Sequence, residues 1–117
     1  MVMNAGNLDR RIQVRRDFNA GNHSAHQLSG GDPDWQDHGT PISAARRDVS
    51  DAERLSAGIY HNKLVTRFTV RASTFTRGIR RSDQLVHDGL TFSIDGIKEL
   101  PGSRAFLEIT AVTAGAS

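Results

Sequence analysis

The chain has 117 residues, with one Trp, one Tyr, five Phe and no Cys, so we expect a single domain over residues 1–117 with a modest core and without disulfides or thiolate metal sites. We see neither the apolar stretch of a secretion signal nor a window that approaches the length of a membrane span. The net charge of +2 is too small to indicate a nucleic-acid-binding protein by itself.

The charges are distributed unevenly along the chain. Residues 17–38 contain four Asp and no Lys or Arg, a charge of −4, whereas residues 67–81 contain five Arg and no acidic residue, a charge of +5. Arg outnumbers Lys by thirteen to two, which favours contacts that use the fork of a guanidinium group. The two segments are either ordinary solvated charges or complementary parts of an interface.

The first predicted element is a strand in the segment LDRRIQVRR. Leu8, Ile12 and Val14 alternate there with charged and polar residues, which is typical of a strand with one buried face.

A polar segment follows this strand. Between Phe18 and Trp35 the only apolar side chains are those of two Ala and one Leu. Burial of so little apolar surface cannot offset the conformational entropy lost on ordering. We therefore expect residues 19–34 to form a long flexible loop.

Two weaker elements are predicted next. The segment TPISAARRDVS favours a strand in which Pro41 is confined to the edge or to the first positions. Ser50 and Glu53 then have the spacing of a capping box, which predicts one short helix near residues 51–57. A helix of this length must pack against the rest of the domain to be stable.

The clearest strand is in the segment KLVTRFTVRAS, which has a period of two. One face carries Leu64, Thr66, Phe68 and Val70. The polar, Gly-containing segment STFTRGIRRSD that follows is predicted to be a loop or an irregular crossing.

The last third of the chain predicts two hairpins. Asp88 and Gly89 lie between two apolar-alternating runs, which indicates a tight β-turn. Gly96 favours a bulge in the strand that follows, and the sequence PGSR favours a second turn. Predicted inward-facing residues are Leu90, Phe92 and Ile94 in one strand and Leu107, Ile109 and Ala111 in the last. Residues 113–117 are expected to be a frayed tail.

These elements together predict a mainly β fold. Five to six strands with tight turns and one short helix describe a small antiparallel β-barrel or sandwich with a long first loop.

No constellation of residues indicates catalysis or a cofactor. His23 and His26, with Asp32, Asp34 and His38 nearby, have the residue types of a metal site, but their spacing matches no closed tetrahedral pattern. The chain contains no nucleophile elbow, phosphate loop or carboxylate pair in a plausible context. We therefore expect no metal, no cofactor and no enzymatic activity.

The order of the pieces resembles the head-tail joining family of long-tailed phages, the small head-closure or stopper proteins. The resemblance lies in the opening NAGNLDRRIQVRR, the DW after a variable loop, the segment ISAARRDVSDAERLSAG, the middle strand RFTVR and the closing LVHDGLTFSIDGIKELPGSRAFLEITA. It covers nearly the whole chain apart from residues 19–34. Related proteins of gene transfer agents look similar.

The resemblance implies a structural β-barrel protein of the virion neck, assembled in the host cytoplasm and without a membrane partner. It implies a ring of six or twelve copies, with a portal or adaptor ring above it and a tail-terminator or tail-completion protein below. Packaged double-stranded DNA would pass through the ring and be retained by it.

Two sets of functional residues are expected on this basis. A channel or gating loop would include Asn22, His23, His26, Gly30, Gly31, Asp32 and Asp34. A contact with a neighbouring subunit or with DNA would involve Arg77, Arg80 and Arg81, with the acidic loop or Asp48, Asp51 and Glu53 as the partner surface on the next subunit.

Two other functions are compatible with the same residues. One is an adaptor or tail-terminator ring of the same particle. The other is a separate small barrel that binds duplex DNA through the basic segment 67–81.

Overall fold

The computed structural model describes residues 5–19, 32–49 and 64–113. A short 3-10 turn at Ala5–Asn7 is followed by seven strands and one helical turn, α1, at Thr74–Arg77. The strands are β1 (Arg10–Asp17), β2 (Trp35–Asp37), β3 (Ile42–Asp48), β4 (Leu64–Arg71), β5 (Gln84–His87), β6 (Leu90–Leu100) and β7 (Ser103–Thr113).

Six of the strands close into an antiparallel barrel. The hydrogen-bonded order is β1-β3-β4-β7-β6-β5, and β5 pairs again with β1 to complete the circle. β2 is an additional short strand that pairs with the end of β1. The predicted mainly β fold, a small barrel or sandwich, is therefore confirmed and is a barrel, and β2 is a strand that the prediction did not include.

β2 and β3 lie one after the other along the same side of β1. Asp37 pairs with Arg15 and Ile42 pairs with Ile12, so the four residues between β2 and β3 interrupt one long pairing. Pro41 immediately precedes β3, as expected for a residue that cannot donate a ladder hydrogen bond.

The core is formed by the inward faces of the barrel strands. The largest fully buried apolar side chains are Phe68, Phe92, Ile12, Leu85 and Ile109. The predicted inward faces of β4, β6 and β7 are confirmed, because their apolar residues belong to this core or pack against it. Thr66, on the same face of β4, is also buried and donates a hydrogen bond to Asp48 at the barrel end.

The predicted turns are also present. Asp88 and Gly89 have φ values of 56° and 78°, the left-handed conformations that a two-residue hairpin turn requires. The pairing of β6 with β7 shifts register between Ile94 and Gly96, which is the predicted bulge.

The segment after β4 is more ordered than the sequence predicts. Ser73 and Thr76 form a reciprocal capping box, so the crossing contains one turn of helix. Thr76 fills the position that a capping Glu or Gln more often occupies, and the motif was therefore missed. The predicted helix near residues 51–57, the end of the tail and most of the loop 19–34 lie outside the described residues.

Candidate functional site

The two ends of the long loop meet at the end of β1. One carboxylate oxygen of Asp17 accepts hydrogen bonds from the backbone N–H groups of Asn19 and Asp34, each at 2.8 Å. The backbone N–H of Phe18 donates to the carbonyl of Asp34 at 3.0 Å. We call residues 17–19 and 32–37 the arm root, because the arm (residues 19–34) leaves the barrel and returns there.

The acidic side chains of the arm root lie at the surface. Asp32 and Asp34 are exposed, and Asp34 accepts a hydrogen bond from Gln36 at 2.8 Å. Asp37 lies 3.2 Å from the Nε of Arg15. The structure thus places two members of the predicted channel set, Asp32 and Asp34, at the arm root. The other members (Asn22, His23, His26, Gly30 and Gly31) lie outside the described residues.

Residues 73–83, which we call the end cap, cross one end of the barrel from β4 to β5. Thr76 and Ile79 are buried, and Phe75 packs against the core. The hydroxyl of Thr76 donates to the carbonyl of Arg71 at 2.8 Å, which ties the helical turn to the end of β4. The end cap therefore closes the barrel at the same end as the arm root.

A buried ion pair holds the end cap to β1. The Nε and Nη2 groups of Arg16 donate to the two carboxylate oxygens of Asp83, each at 2.9 Å, and the side chains are only 16% and 1% exposed. Arg16 also donates to the carbonyl of Gly78, and Asp83 accepts from the backbone N–H of Arg80. The hydrogen bond with Asp83 raises the pKa of Arg16 above its ordinary value, and burial opposes this shift only in part.

This ion pair was not predicted from the sequence. The alternation that places Ile12 and Val14 inward also places Arg16 on the core face, and a charge in that position needs a partner. That pattern was the available signal, although it does not reveal which acidic residue is the partner.

The basic residues predicted to make contacts are all exposed on the end cap. Arg77 lies 3.7 Å from Glu99 and donates to the carbonyl of Arg104 at 3.3 Å. The side chains of Arg80 and Arg81 make no hydrogen bond or ion pair with any of the described residues. The other two Arg of the basic segment, Arg67 and Arg71, lie on β4, so the segment is divided between a strand and the cap.

Asp48 lies at the opposite end of the barrel. It pairs with Thr66 near the start of β4, whereas the end cap follows the last residue of that strand. Its carboxylate accepts from Arg46 at 3.0 Å and from Thr66 at 2.9 Å, and Arg46 also contacts a ring nitrogen of His87 at 3.0 Å. We call these four residues the polar end. The predicted partners Asp51 and Glu53 lie outside the described residues.

Two pKa values are shifted at the polar end. Burial, followed by the charge of Arg46, lowers the pKa of His87 below its ordinary value. Burial also acts to raise the pKa of Asp48, but the hydrogen bonds from Arg46 and Thr66 and the nearby positive charges outweigh it, so the pKa is lowered. The pKa values of His87 and Asp48 therefore both depend on burial and on the neighbouring Arg46.

Neither a metal cluster nor a membrane span is found in the parts of the chain that the structure describes. Over residues 5–19, 32–49 and 64–113, no group of three or more His, Asp or Glu side chains could hold a metal ion. In the same ranges no helix has the length and apolar character needed to cross a membrane. His23 and His26 are not among these residues.

The fold is similar to two solved structures. A protein from Shigella flexneri 2a, determined in solution, has a TM-score of 0.66 and 23% identity, over 98% of this chain and 99% of that one. A chain from the virion of a native gene transfer agent particle has a TM-score of 0.65 and 22% identity, over 94% of this chain and 97% of that one. No curated protein matches the chain.

A family model provides the assignment that the fold alone cannot. The model described as phage head completion protein matches residues 3–114, which is nearly the full length. This range includes the barrel, the arm root and the end cap. The chain therefore belongs to the phage head completion protein family, whose members are structural proteins of the virion and not enzymes.

Proposed function

We propose that the chain is a head-closure, or stopper, protein that forms a ring of six or twelve copies below the portal or adaptor ring. In this role it contacts the tail-terminator or tail-completion protein on its other side and retains packaged double-stranded DNA. The observation that supports the proposal most directly is the arm, which leaves and returns to one end of a closed barrel with both ends held by Asp17.

A closed barrel leaves few backbone edges for assembly. Because β1 and β5 complete the circle, the described part of the chain offers neighbouring subunits its side chains, the short β2 and the arm root. The arm has too few apolar residues to be ordered by its own burial. Contacts with sister copies in a ring supply the free energy that the isolated chain lacks.

The charge of the arm suits a position beside the DNA. Residues 17–38 contain four Asp and no Lys or Arg, and Asp32 and Asp34 are exposed at the root. Carboxylates repel phosphates, so such an arm obstructs the channel without adhering tightly to the duplex. We propose that residues 19–34 project into the channel or lie beside it.

The subunit contact pairs opposite charges at the same barrel end. Subunits that stand side by side in a ring with parallel axes bring equivalent ends to the same level. The acidic arm root of one subunit then faces Arg77, Arg80 and Arg81 of the next. Asp48, at the opposite barrel end, does not meet these residues in that arrangement. Such rim pairs determine register more than affinity.

The DNA-retention role is tested by replacing residues 22–31 with a Gly-Ser sequence of the same length in assembled particles. We expect particles to form but to lose packaged DNA on storage, which a nuclease-protection assay measures. A control with Asp32→Asn and Asp34→Asn keeps residues 22–31 and removes only charge. If the Gly-Ser particles retain DNA as well as the parent, the proposed retention by the arm is wrong.

The ring contact is tested by the double variant Arg80→Glu and Arg81→Glu. We expect weaker assembly, with a defect that decreases as salt screens the reversed charges. Native mass spectrometry and light scattering at several salt concentrations measure it. Unchanged ring formation at low salt would reject this contact.

A second candidate function, duplex DNA binding, is favoured by the exposed side chains of Arg80 and Arg81. Both are exposed and neither makes a hydrogen bond or ion pair with the described part of the chain, which suits contacts with phosphates. A filter-binding assay with a salt titration tests this function. Direct binding predicts a steep loss of affinity as salt increases.

A further inference from the structure

Two adjacent residues at the end of β1 hold two different segments of the chain. Arg16 binds the end cap through Asp83, and Asp17 binds both ends of the arm root. We infer that the end cap and the arm root are mechanically coupled through the end of β1, so that loosening of the cap also loosens the arm root. The consequence for DNA retention rests on the proposed function, whereas the coupling itself does not.

The contact on the cap side is rigid. Arg16 uses a two-pronged guanidinium fork on a carboxylate that is 1% exposed, so water cannot readily replace either hydrogen bond. The same two side chains also bind the backbone at Gly78 and Arg80. Arg80 and its neighbour Arg81 are therefore fixed in position relative to β1 rather than presented on an independent loop.

The contact on the arm side begins at the next residue. Asp17 pairs with Trp35 across the β1–β2 ladder, and the carbonyl of Trp35 accepts from Arg15 at 2.7 Å. The side chain of Asn19 donates to the carbonyl of Asp32 at 3.0 Å. The arm root is thus a short hydrogen-bonded unit whose orientation follows the end of β1.

A series of aromatic rings forms a second connection between the same two segments. The ring of Phe18 lies 6.2 Å from that of His38, which stacks on Phe75 of α1 at 5.2 Å. An added Cβ at Gly39 would lie 2.6 Å from the Phe75 ring, so this stack is closely packed. Because the ion pair and the ring series connect the cap to the root at separate points, relative rotation of the two segments is restrained.

The chain contains its own reporter of this coupling. Trp35 is the sole Trp and lies in the arm root. A substitution in the end cap should therefore change the emission of Trp35 and its quenching by acrylamide, although the substituted residue is not part of the arm root.

The experiment uses the full chain and measures backbone amide exchange by NMR together with Trp35 fluorescence. The test variants are Asp83→Asn, which removes the carboxylate, and Arg16→Lys, which keeps the charge but loses the fork. We expect exchange at the Asn19 and Asp34 amides to become at least about tenfold faster, because charge-assisted hydrogen bonds that stabilise their support are lost.

Matched controls separate coupling from general loosening. Glu108→Gln breaks an ion pair with Lys98, at 3.6 Å, on strands away from β1, and should leave the arm-root amides unchanged. Amides of β4 and β7 should also keep their protection in the test variants. If Asp83→Asn unfolds the whole barrel, Arg16→Lys is judged by the same criterion.

Three outcomes decide the inference. Faster exchange at the cap and at the arm root, with a changed Trp35 signal, supports it. Faster exchange at the Arg80 amide alone overturns it and leaves the stopper function standing. Coupled loosening in particles that nevertheless retain their DNA supports the coupling and contradicts the proposed retention of DNA by the arm.

Discussion

At each end of the barrel an Arg extends from a strand toward the interior and binds an Asp. The two Asp partners differ in their exposure. Arg16 binds Asp83, whose side chain is 1% exposed, with both prongs of its guanidinium. Arg46 binds Asp48, whose side chain is 50% exposed, and also contacts the Nδ1 of His87 at 3.0 Å. The buried Asp83 therefore makes a fixed ion pair with Arg16, whereas the ion pair of Arg46 with the half-exposed Asp48 responds to solvent.

This difference matches the positions of the two arginines in the fold. The buried pair lies where the arm root and the end cap meet, the region to which we assign assembly and DNA retention. The half-exposed pair lies where β3 ends and β4 begins. A buried pair is costly to break because it leaves an uncompensated charge, whereas an exposed pair contributes little.

The largest effect is expected from Asp83→Ala. Removal of this carboxylate leaves Arg16 inside the barrel end without its partner and should lower the free energy of unfolding by about 3–5 kcal/mol. Urea denaturation measures the change. Asp48→Ala at the other end should lower it by only about 1 kcal/mol, because that carboxylate is half exposed.

The comparison fails if the two variants have equal effects. In that case the burial of the Asp side chain does not determine how much each ion pair contributes to stability. The double variant Arg16→Met and Asp83→Leu is informative as well, since removal of both charges should recover part of the stability that Asp83→Ala loses.

A smaller effect is expected from Gly39→Ala at the cap end. Gly39 has a φ of 74°, and an added Cβ would meet the Phe75 ring at 2.6 Å, so we expect a loss of about 2 kcal/mol. Gly102→Ala is the matched control, because Gly102 has a φ of 82° with nothing within 4 Å of an added Cβ. Its loss of about 1 kcal/mol measures backbone strain alone. Equal losses would show that the contact with Phe75 is unimportant.

The polar end should make stability depend on pH. The pKa of His87 is lowered from its ordinary value of 6.5, so the unfolded chain binds more protons as the pH falls through that value. Its contribution is fully present above pH 6.5 and is lost as the pH falls toward the folded pKa. Asp48, with a pKa lowered from 3.8, adds a second loss below that pH.

Thermal unfolding between pH 7.5 and 5 measures the first step. His87→Gln should flatten the curve in this range. A variant without His87 that still loses stability over the same range would show that another group is responsible.

The strands and turns were predictable because their signals are local. The alternation in β4, the Asp88-Gly89 turn and the glycine at the β6 bulge each fix structure through neighbouring residues.

The connections that give the candidate site its geometry were not predictable in the same way. Arg16 and Asp83 are 67 residues apart, so only the closed barrel brings them together. β2 has three residues and exists because it pairs with β1, and α1 depends on a Ser-Thr capping box with a weak sequence signature. For the ion pair and for β2 a tertiary contact, rather than local preference, determines the structure.

The smallest predicted effect concerns Asp88, which links the polar end to the turn that follows β5. Asp88 has a φ of 56°, which Asn adopts as readily but Ala does not, so Asp88→Ala should cost about 0.5–1 kcal/mol and Asp88→Asn almost nothing. The negative charge of Asp88 also raises the pKa of His87 against the effects of burial and Arg46. Asp88→Asn should therefore move the NMR titration of His87 to lower pH while the turn is kept. If that titration is unchanged, Asp88 acts on the polar end only through its backbone conformation, and the protonation of His87 is controlled by burial and Arg46.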